Sequence, residues 1–343
     1  MSQPLSMSEI REIFSRDIAP DLQTQVDRAR SDERYVLVFV GGQPGAGKSR
    51  LVAMALAEHR GAVEINGDDV RKYHPDYDDL MKTAPLTMPD ATAEAAGAWV
   101  SLSASYLRNQ GAGVVLETTM RQADVVSTTA SEFKRAGYAI ESRSLAVPAA
   151  VPRLGTLQRY AEQIRRTGAG RWTPTRAHDA AVEAMPGTVE ALVDAGLMDR
   201  ALVQRRDGTV VFDRAYDPPT VAAGDGAALR ERIEFGRAAS SMTEGDARDW
   251  VRKLVETSSY LSSRRRAVGP DVERALVGVM HDAREVAAAG WPTNLERRSE
   301  ALAAIAESGR WLVDNDSRVQ SVEPHNPVWH QPGAGPVAPG LER

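Results

Sequence analysis

Residues 35–49 read YVLVFVGGQPGAGKS. The first six are β-branched, aromatic or aliphatic, which is typical of a strand buried on both faces of a sheet. Gly42 to Ser49 match the pattern G-x-x-x-x-G-K-[ST], in which glycines let backbone N–H groups turn around a phosphate without Cβ clashes. Apolar residues with helical spacing follow from Lys48 to His59, so the positive end of a helix would face the same anion. The stretch therefore predicts a strand, a phosphate-binding loop and a helix in succession.

Strands and helices continue to alternate after this segment. The further predicted strands are residues 62–65, 113–116, about 139–146 and 209–212. The further predicted helices are residues 91–110, 123–136, 149–166 and 175–195. This alternation predicts the α/β class, with a doubly wound, mostly parallel sheet that carries helices on both faces.

The two ends of the chain differ from this central region. Residues 8–30 have helical apolar spacing, with Pro20 as the predicted break between two short helices and a Ser6–Glu9 capping box at the start. Residues 227–315 predict three or four amphipathic helices, and a proline-rich, disordered tail follows. We expect four parts: an N-terminal helical segment (1–34), a phosphate-loop domain (35–220), a helical extension (221–315) and the tail (316–343).

The composition excludes several classes of protein. The 343 residues are 42% hydrophobic and 26% charged, as in ordinary globular proteins, with a net charge of -5. An acidic chain is not expected to bind nucleic acid, and no apolar run is long enough to span a membrane. The absence of cysteine excludes disulfides, thiolate zinc sites and cysteine nucleophiles. The N-terminus lacks a signal-peptide pattern, so we expect a cytoplasmic protein.

The glycine-rich loop predicts nucleoside triphosphate binding. Lys48 would reach the β and γ phosphates, and the Ser49 hydroxyl would bind Mg²⁺. The predicted ATP-binding residues are Gly42, Gln43, Pro44, Gly45, Ala46, Gly47, Lys48 and Ser49. The chain has no N-K-x-D motif for reading guanine, and it lacks the hhhhD-E strand usual in motor proteins. A small-molecule kinase is the interpretation that remains.

Acidic residues follow the second and third predicted strands. Asp68 and Asp69 come after the second, where a carboxylate could accept the proton of an attacking hydroxyl, although either could simply cap the next helix. Glu117 ends the third strand and is followed by hydroxyls and Arg121, a combination that suits a polar acceptor. Glu117 could alternatively belong to the magnesium shell.

An arginine-rich stretch lies between the last two helices of the central region. Arg159 and Arg171 could neutralise the charge that develops on a transferring phosphoryl group, and the simpler alternative is a solvated helix face. Trp172 follows directly and would either stack on a nucleobase or anchor a closing lid.

Taken in order, these motifs resemble the zeta toxin family of phosphotransferases. The matching residues are GGQPGAGKS at 41–49, an aspartate six residues before His74-Pro75, ETTMR at 117–121, and RY…R-x-TP…HD at 159–179. The resemblance covers roughly residues 8–215. It implies phosphorylation of the 3′-hydroxyl of the amino sugar in UDP-N-acetylglucosamine, with ATP and magnesium.

The resemblance also implies roles for individual residues. Asp68 corresponds to the catalytic base, and Lys48, Arg159 and Arg171 complete the predicted catalytic set. The predicted acceptor-binding residues are Asp69, Glu117, Thr119, Arg121 and Thr129. One position departs from the family, because Ser101 stands where the family toxin has a further sugar-binding glutamate.

This departure leaves the acceptor open. NAD, another nucleotide or an antibiotic hydroxyl are the alternatives, and a nucleotide-gated interaction protein without kinase activity is the alternative from another class. Zeta toxins are inhibited by a separate helical antitoxin, so an antitoxin is a possible partner. The helical extension could be a packing element, a partner-binding module or a built-in inhibitor.

Overall fold

A computed structural model describes residues 4–29, 35–217, 221–265 and 268–313. The expected tail, residues 316–343, lies outside the described residues. The N-terminal helices are α1 (Met7–Ile13) and α2 (Ala19–Arg28), joined by a π-helical turn over Phe14–Ile18. The predicted capping box is present, because Ser6 and Glu9 exchange hydrogen bonds at the start of α1.

The predicted break at Pro20 was wrong. The backbone stays helical through Ala19, whose N–H donates to Phe14 five residues earlier, and Pro20 lies in the first turn of α2. Proline has no N–H to donate to the preceding turn. The wider π turn just before Pro20 accommodates the missing hydrogen bond, so the helix continues without a break.

The central region alternates strands and helices as predicted. Its first half contains β1 (Val36–Gly41), α3 (Lys48–Glu58), β2 (Ala62–Asn66), a 3₁₀ turn (Asp69–Tyr73), α4 (Tyr77–Thr83), α5 (Met88–Ala91), α6 (Ala93–Asn109) and β3 (Gly113–Thr118). Its second half contains α7 (Ala123–Arg135), β4 (Ala139–Leu145), α8 (Ala150–Thr167), α9 (Thr175–Asp194), β5 (Arg200–Gln204) and β6 (Val210–Ala215). Four helices follow: α10 (Asp225–Arg237), α11 (Glu244–Ser263), α12 (Pro270–Gly290) and α13 (Leu295–Val313).

The six strands form one sheet in the order β2-β3-β1-β4-β5-β6. All neighbours pair in parallel except β5 and β6, which are antiparallel. The strand predicted at residues 209–212 corresponds to β6, and the sequence did not predict β5. The segment ALVQ at 201–204 is short and follows helix α9 closely, so its strand character depends on pairing with β4 rather than on local periodicity.

Strand β1 lies in the middle of the sheet and is buried along its whole length. Leu37 and Phe39 join a cluster with residues of α1, α6 and α7, whereas Val36, Val38 and Val40 join another with α3. Alternate side chains therefore pack on opposite faces, as a doubly wound sheet requires. The fold class predicted from the sequence is confirmed.

Helices α10 to α13 are here called the C-terminal helices. Helix α10 packs against α9, α11 and α12 pack against α8, and α13 packs on α11 and α12. Apolar residues of α8 share one hydrophobic cluster with Trp250, Leu254, Leu276 and other residues of α11, α12 and α13. The Trp250 indole N–H also donates to the Ala150 carbonyl, at 2.9 Å. Across the described ranges, no helix combines the length and the apolarity needed to cross a membrane.

A close backbone approach joins α8 to the glycine-rich loop. A Cβ atom on Gly155 would lie 2.4 Å from the Gly45 carbonyl oxygen, and Gly45 has a φ of +81°. Gly155→Ala should therefore lower the free energy of unfolding by about 1–3 kcal/mol, because backbone atoms cannot move aside easily. In a matched control, Gly97→Ala in α6 meets no atom within 4 Å and should be neutral or stabilising by up to about 1 kcal/mol. Urea denaturation of both variants tests this, and equal stabilities would contradict it.

Candidate active site

The glycine-rich loop and Lys48 form the centre of the site. Gly47, with a φ of +96°, precedes α3, and Lys48 begins that helix. The Lys48 ammonium donates to the Gly42 and Gln43 carbonyls, at 2.9 and 3.2 Å. Burial lowers the pKa of Lys48 below its ordinary value, although Glu117 and Asp68 oppose this effect. A buried cation enclosed by its own loop is suited to binding phosphate once an anion enters.

Glu117 connects the loop to the acidic residues after β2. Its carboxylate lies 3.5 Å from the Lys48 ammonium, and it accepts from the Asn66 side-chain amide at 3.4 Å. Asn66 in turn accepts from the Asp68 N–H, at 2.9 Å. This geometry arises because β2 and β3 pair in parallel and place Asn66 opposite Glu117. Asn66 was not singled out from the sequence, since its role depends on that register.

Asp68 is surrounded by cations. Its carboxylate accepts from Arg171 at 2.6 Å and lies 3.5 Å from the Arg71 guanidinium. Burial raises the pKa of Asp68, but the charges of Arg171, Arg71, Arg159 and Lys48 outweigh that effect and hold the pKa below its ordinary value. The side chain remains 41% exposed, so an acceptor can reach it.

Asp69 is oriented differently from Asp68. It is exposed at the start of the 3₁₀ turn, and its charge contributes to raising the pKa of Glu64, after burial and Glu117. The structure therefore distinguishes the two neighbouring aspartates, which sequence spacing did not. Asp68 is the one that contacts the arginines.

The two arginines predicted from the sequence converge on this point from α8 and from the segment after it. Arg159 donates to the Thr173 hydroxyl at 2.7 Å, and burial, followed by the charge of Arg171, lowers its pKa. The Arg171 N–H donates to the Gln163 side chain, at 2.7 Å, which fixes the backbone of the segment. These arginines are therefore not a solvated helix face.

Trp172 packs inside the protein rather than facing the site. It is 4% exposed, contacts Tyr160 edge to face with ring centroids 5.3 Å apart, and belongs to the cluster formed with the C-terminal helices. This packing favours the interpretation that Trp172 anchors the segment after α8, rather than the one in which it stacks on a nucleobase.

The other predicted residues lie farther from these contacts. Thr119 is half-buried just after β3, and Arg121 is exposed. The Thr129 hydroxyl donates to the Val125 carbonyl of its own helix, and the Ser101 hydroxyl likewise donates to Gly97 on α6. Ser49 is exposed in the first turn of α3.

Met120 separates Glu117 from Arg121 and has an unusual backbone. Its φ is +50°, and its N–H donates to the Thr118 hydroxyl at 3.0 Å. Its side chain is fully buried against Gly41, where a Cβ atom would lie 2.6 Å from the Met120 sulfur. A left-handed residue at the end of β3 turns the chain sharply beside the loop, and such strain is common at functional sites.

A second contact to the loop comes from the C-terminal helices. With the Gln43 amide in the orientation that satisfies both groups, its side-chain oxygen accepts from the Arg237 guanidinium, 2.9 Å from Nε. Burial lowers the pKa of Arg237 to about 10. Gln43 and Arg237 lie almost two hundred positions apart, so no local sequence pattern predicts their contact.

A family model described as Zeta toxin matches residues 21–217. The chain is 28% identical over 208 residues to Toxin zeta of Enterococcus hirae, which covers 60% of this chain and 73% of that protein. It is also 28% identical over 225 residues to Toxin PezT of Streptococcus pneumoniae serotype 4, which covers 65% of this chain and 87% of that protein.

A solved structure has the same fold. It belongs to the PezAT chromosomal toxin–antitoxin system of Streptococcus pneumoniae, with a TM-score of 0.55 and 23% identity, and it covers 68% of this chain and 96% of that one. The family match spans the sheet, the glycine-rich loop and the arginines around Asp68. The chain belongs to the zeta toxin family.

Proposed function

We propose that the protein is an ATP-dependent kinase that transfers the γ-phosphoryl group to a hydroxyl of a small molecule, through residues 35–220. The observation that carries this proposal is the contact chain from Lys48 through Glu117 and Asn66 to Asp68 and Arg171. Glu117 lies next to Lys48, and Asn66 links Glu117 to the backbone of Asp68, whose carboxylate contacts Arg171. A nucleotide-gated interaction protein would not need that carboxylate.

Asp68 would act on the acceptor hydroxyl. Its carboxylate accepts the hydroxyl proton while the hydroxyl oxygen attacks the γ-phosphorus, and the bond to the β–γ bridging oxygen breaks to release ADP. The loop amides and Lys48 hold the phosphates. Arg159 and Arg171 would stabilise the charge on the transferring group, which requires Arg171 to leave Asp68 when ATP is bound.

The site also fits magnesium. The hydroxyl of Ser49 and the carboxylate of Glu117 are oxygen donors beside the loop, which are the ligands that Mg²⁺ prefers. When bound, Mg²⁺ would neutralise charge on the β and γ phosphates.

We propose a nucleotide sugar such as UDP-N-acetylglucosamine as the acceptor, and a role as the toxin of a toxin–antitoxin pair. The names of the relatives support this, since they are described as toxins. Glu117, Thr119 and Arg121 follow β3, beside Asp68, and would contact the sugar. An antitoxin would be the protein partner.

A second acceptor class deserves testing because of Ser101. This exposed serine stands where the family toxin has a sugar-binding glutamate, and its hydroxyl is bonded within its own helix. NAD or another nucleotide is therefore the alternative acceptor. Incubation of the protein with ATP, Mg²⁺ and each acceptor separately, followed by mass spectrometry of the products, decides between them. Absence of a phosphorylated product from every acceptor, together with absence of ATP hydrolysis, would overturn the kinase proposal.

Lys48→Ala should abolish phosphoryl transfer while the protein stays folded. The ammonium is the buried cation at the loop, and without it the phosphates lose a charge-assisted contact. Arg50→Ala is the matched control, because Arg50 is exposed on the same first turn of α3. Turnover is measured by ADP release, and the fold by circular dichroism. A folded Lys48→Ala protein with wild-type turnover would contradict the assignment of the loop.

A further inference from the structure

A cavity of about 320 Å³ lies between α8, the loop joining β5 to β6, and the C-terminal helices. Small-molecule sites commonly measure about 300–1,000 Å³, so this one is large enough for a heterocycle but small for a whole nucleotide. Val151 and Leu154 line it from α8, and Arg206 from the β5–β6 loop. Met242, Trp250 and Lys253 line it from the C-terminal helices.

Apolar side chains border the cavity from two helices. Leu154 on α8 and Trp250 on α11 are buried in the cluster that joins these helices and line the cavity. The Trp250 indole is held in place by its hydrogen bond to the Ala150 carbonyl.

Polar side chains surround the same space. Arg205, Asp207 and Gln158 line it from the central region, and Asp246 and Lys253 from α11. Together they offer donors and acceptors for the edge of a heterocycle.

The cavity adjoins the glycine-rich loop. Arg206 lines the cavity and also lies against the loop, since a Cβ atom on Gly47 would be 3.0 Å from its Nε. At the other side, Gly236 lines the cavity and its neighbour Arg237 binds Gln43. A ligand with phosphates in the loop could thus extend directly into the cavity.

The strand order separates this cavity from the acceptor side. Strand β1, which carries the loop, has β3 and β2 on one side and β4 and β5 on the other. Asp68 and Glu117 follow β2 and β3, whereas the cavity is bordered by residues after β4 and β5, such as Val147 and Arg206. A triphosphate lying across the loop would present its γ-phosphate to Asp68 and its base to the cavity.

We infer that this cavity binds the base of the nucleoside triphosphate, and that the C-terminal helices supply one of its walls. The inference rests on the proposed kinase function and adds a role for residues outside the family match. The C-terminal helices would then complete the nucleotide site. If the C-terminal helices were a built-in inhibitor, they would instead occupy the nucleotide site themselves.

Two neighbouring serines provide a matched test in the full-length protein. Ser241 lines the cavity, and Ser240 is exposed on the same 3₁₀ turn. Ser241→Phe should fill the cavity and raise the Kd for ATP by about tenfold or more, while the Kd for inorganic tripolyphosphate stays unchanged. Ser240→Phe should leave both unchanged. Isothermal titration calorimetry measures both ligands.

The outcomes separate the two proposals. If the wild-type protein binds neither ATP nor tripolyphosphate, the proposed function fails and this inference fails with it. The second case is a wild-type protein that binds both ligands. If Ser241→Phe then leaves ATP binding unchanged, or weakens the binding of ATP and of tripolyphosphate equally, the base does not occupy the cavity. Only this inference is then overturned.

A second measurement does not depend on a variant that folds. Photolysis of the wild-type protein with 8-azido-ATP attaches the base to the residues that border it. Peptide mapping should find the adduct within residues 205–207 or 241–253 in the presence of Mg²⁺, and an excess of ATP should prevent it. Protectable labelling confined to other segments would overturn the inference.

Discussion

Asp68→Asn is expected to lower kcat by about 10²- to 10⁴-fold, the range typical of a lost general base, while the Kd for ATP changes little. The amide keeps the size of the side chain but cannot accept the hydroxyl proton. It also loses the ion pair with Arg171. Steady-state kinetics with ATP and acceptor varied separately measure the effect.

Asp69→Asn is the matched control for this prediction. Asp69 is adjacent in sequence and exposed, so its substitution should change kcat by less than the loss at Asp68. A larger loss at Asp69 would show that the proton acceptor is the neighbouring aspartate. Comparable, small effects at both positions would mean that the base lies elsewhere.

The toxin role gives the same variant a cellular readout. Production of the wild-type protein in a bacterial host without an antitoxin should stop growth, and production of Asp68→Asn at the same level should not. Growth arrest by both forms would separate toxicity from phosphoryl transfer.

Arg171→Met should cause the second large effect. We expect kcat to lose most of its value, and the pH dependence of kcat/KM to change. Of the neighbouring cations, Arg171 lowers the pKa of Asp68 most, against the opposing effect of burial. Without it the pKa of Asp68 rises, so the carboxylate becomes protonated at a higher pH. The acidic limb of kcat/KM should therefore move to higher pH.

A lysine at the same position distinguishes charge from geometry. Arg171→Lys keeps a cation near Asp68, so the acidic limb should shift less than in Arg171→Met. The rate should still fall, because an ammonium cannot make the forked contact of a guanidinium with phosphoryl oxygens. Arg176→Met, at an exposed arginine that pairs with Asp90, is the control. An unchanged pH profile in Arg171→Met would contradict the coupling to Asp68.

The arrangement of α8 explains why the C-terminal helices matter for these arginines. One face of α8 carries Arg159 toward the site. Another face of the same helix packs Leu157 and Tyr160 into the cluster shared with α11 and α12. Trp172, next to Arg171, packs in the same cluster. The position of both arginines is thus coupled to the packing of helices that lie outside the family match.

A cluster of charged residues away from the site shows that neighbouring side chains must be considered before such a cluster is interpreted as a metal site. Glu58, His59 and Glu141 lie close enough together to suggest a metal site. However, the fully buried Arg143 ion-pairs with both acids, at 2.6 Å from Glu141. Their charge is already compensated, so we interpret the cluster as a structural ion-pair network.

Local sequence was enough to predict five of the six strands, most of the helices between them and the glycine-rich loop. The apolar run 35–40, the glycines and Lys48 are contiguous, and their periodicity and backbone requirements act over only a few residues. Parallel strands bring their carboxyl ends to one edge, so the proximity of the acids after β2 and β3 follows from the fold class. The arginines 159 and 171 were assigned to the same site through the family resemblance, because no strand carries them.

Tertiary structure decided which residues touch. Asp68 was separated from Asp69, Asn66 was placed between the Glu117 carboxylate and the Asp68 N–H, and Arg237 was brought to Gln43. Strand register and helix packing join these positions, most of which lie far apart in sequence. Strand β5 formed through pairing with β4, although its own pattern was too short to identify. The cavity beside the loop has walls from three separate segments, and no local pattern encodes a space that exists only when those segments pack together.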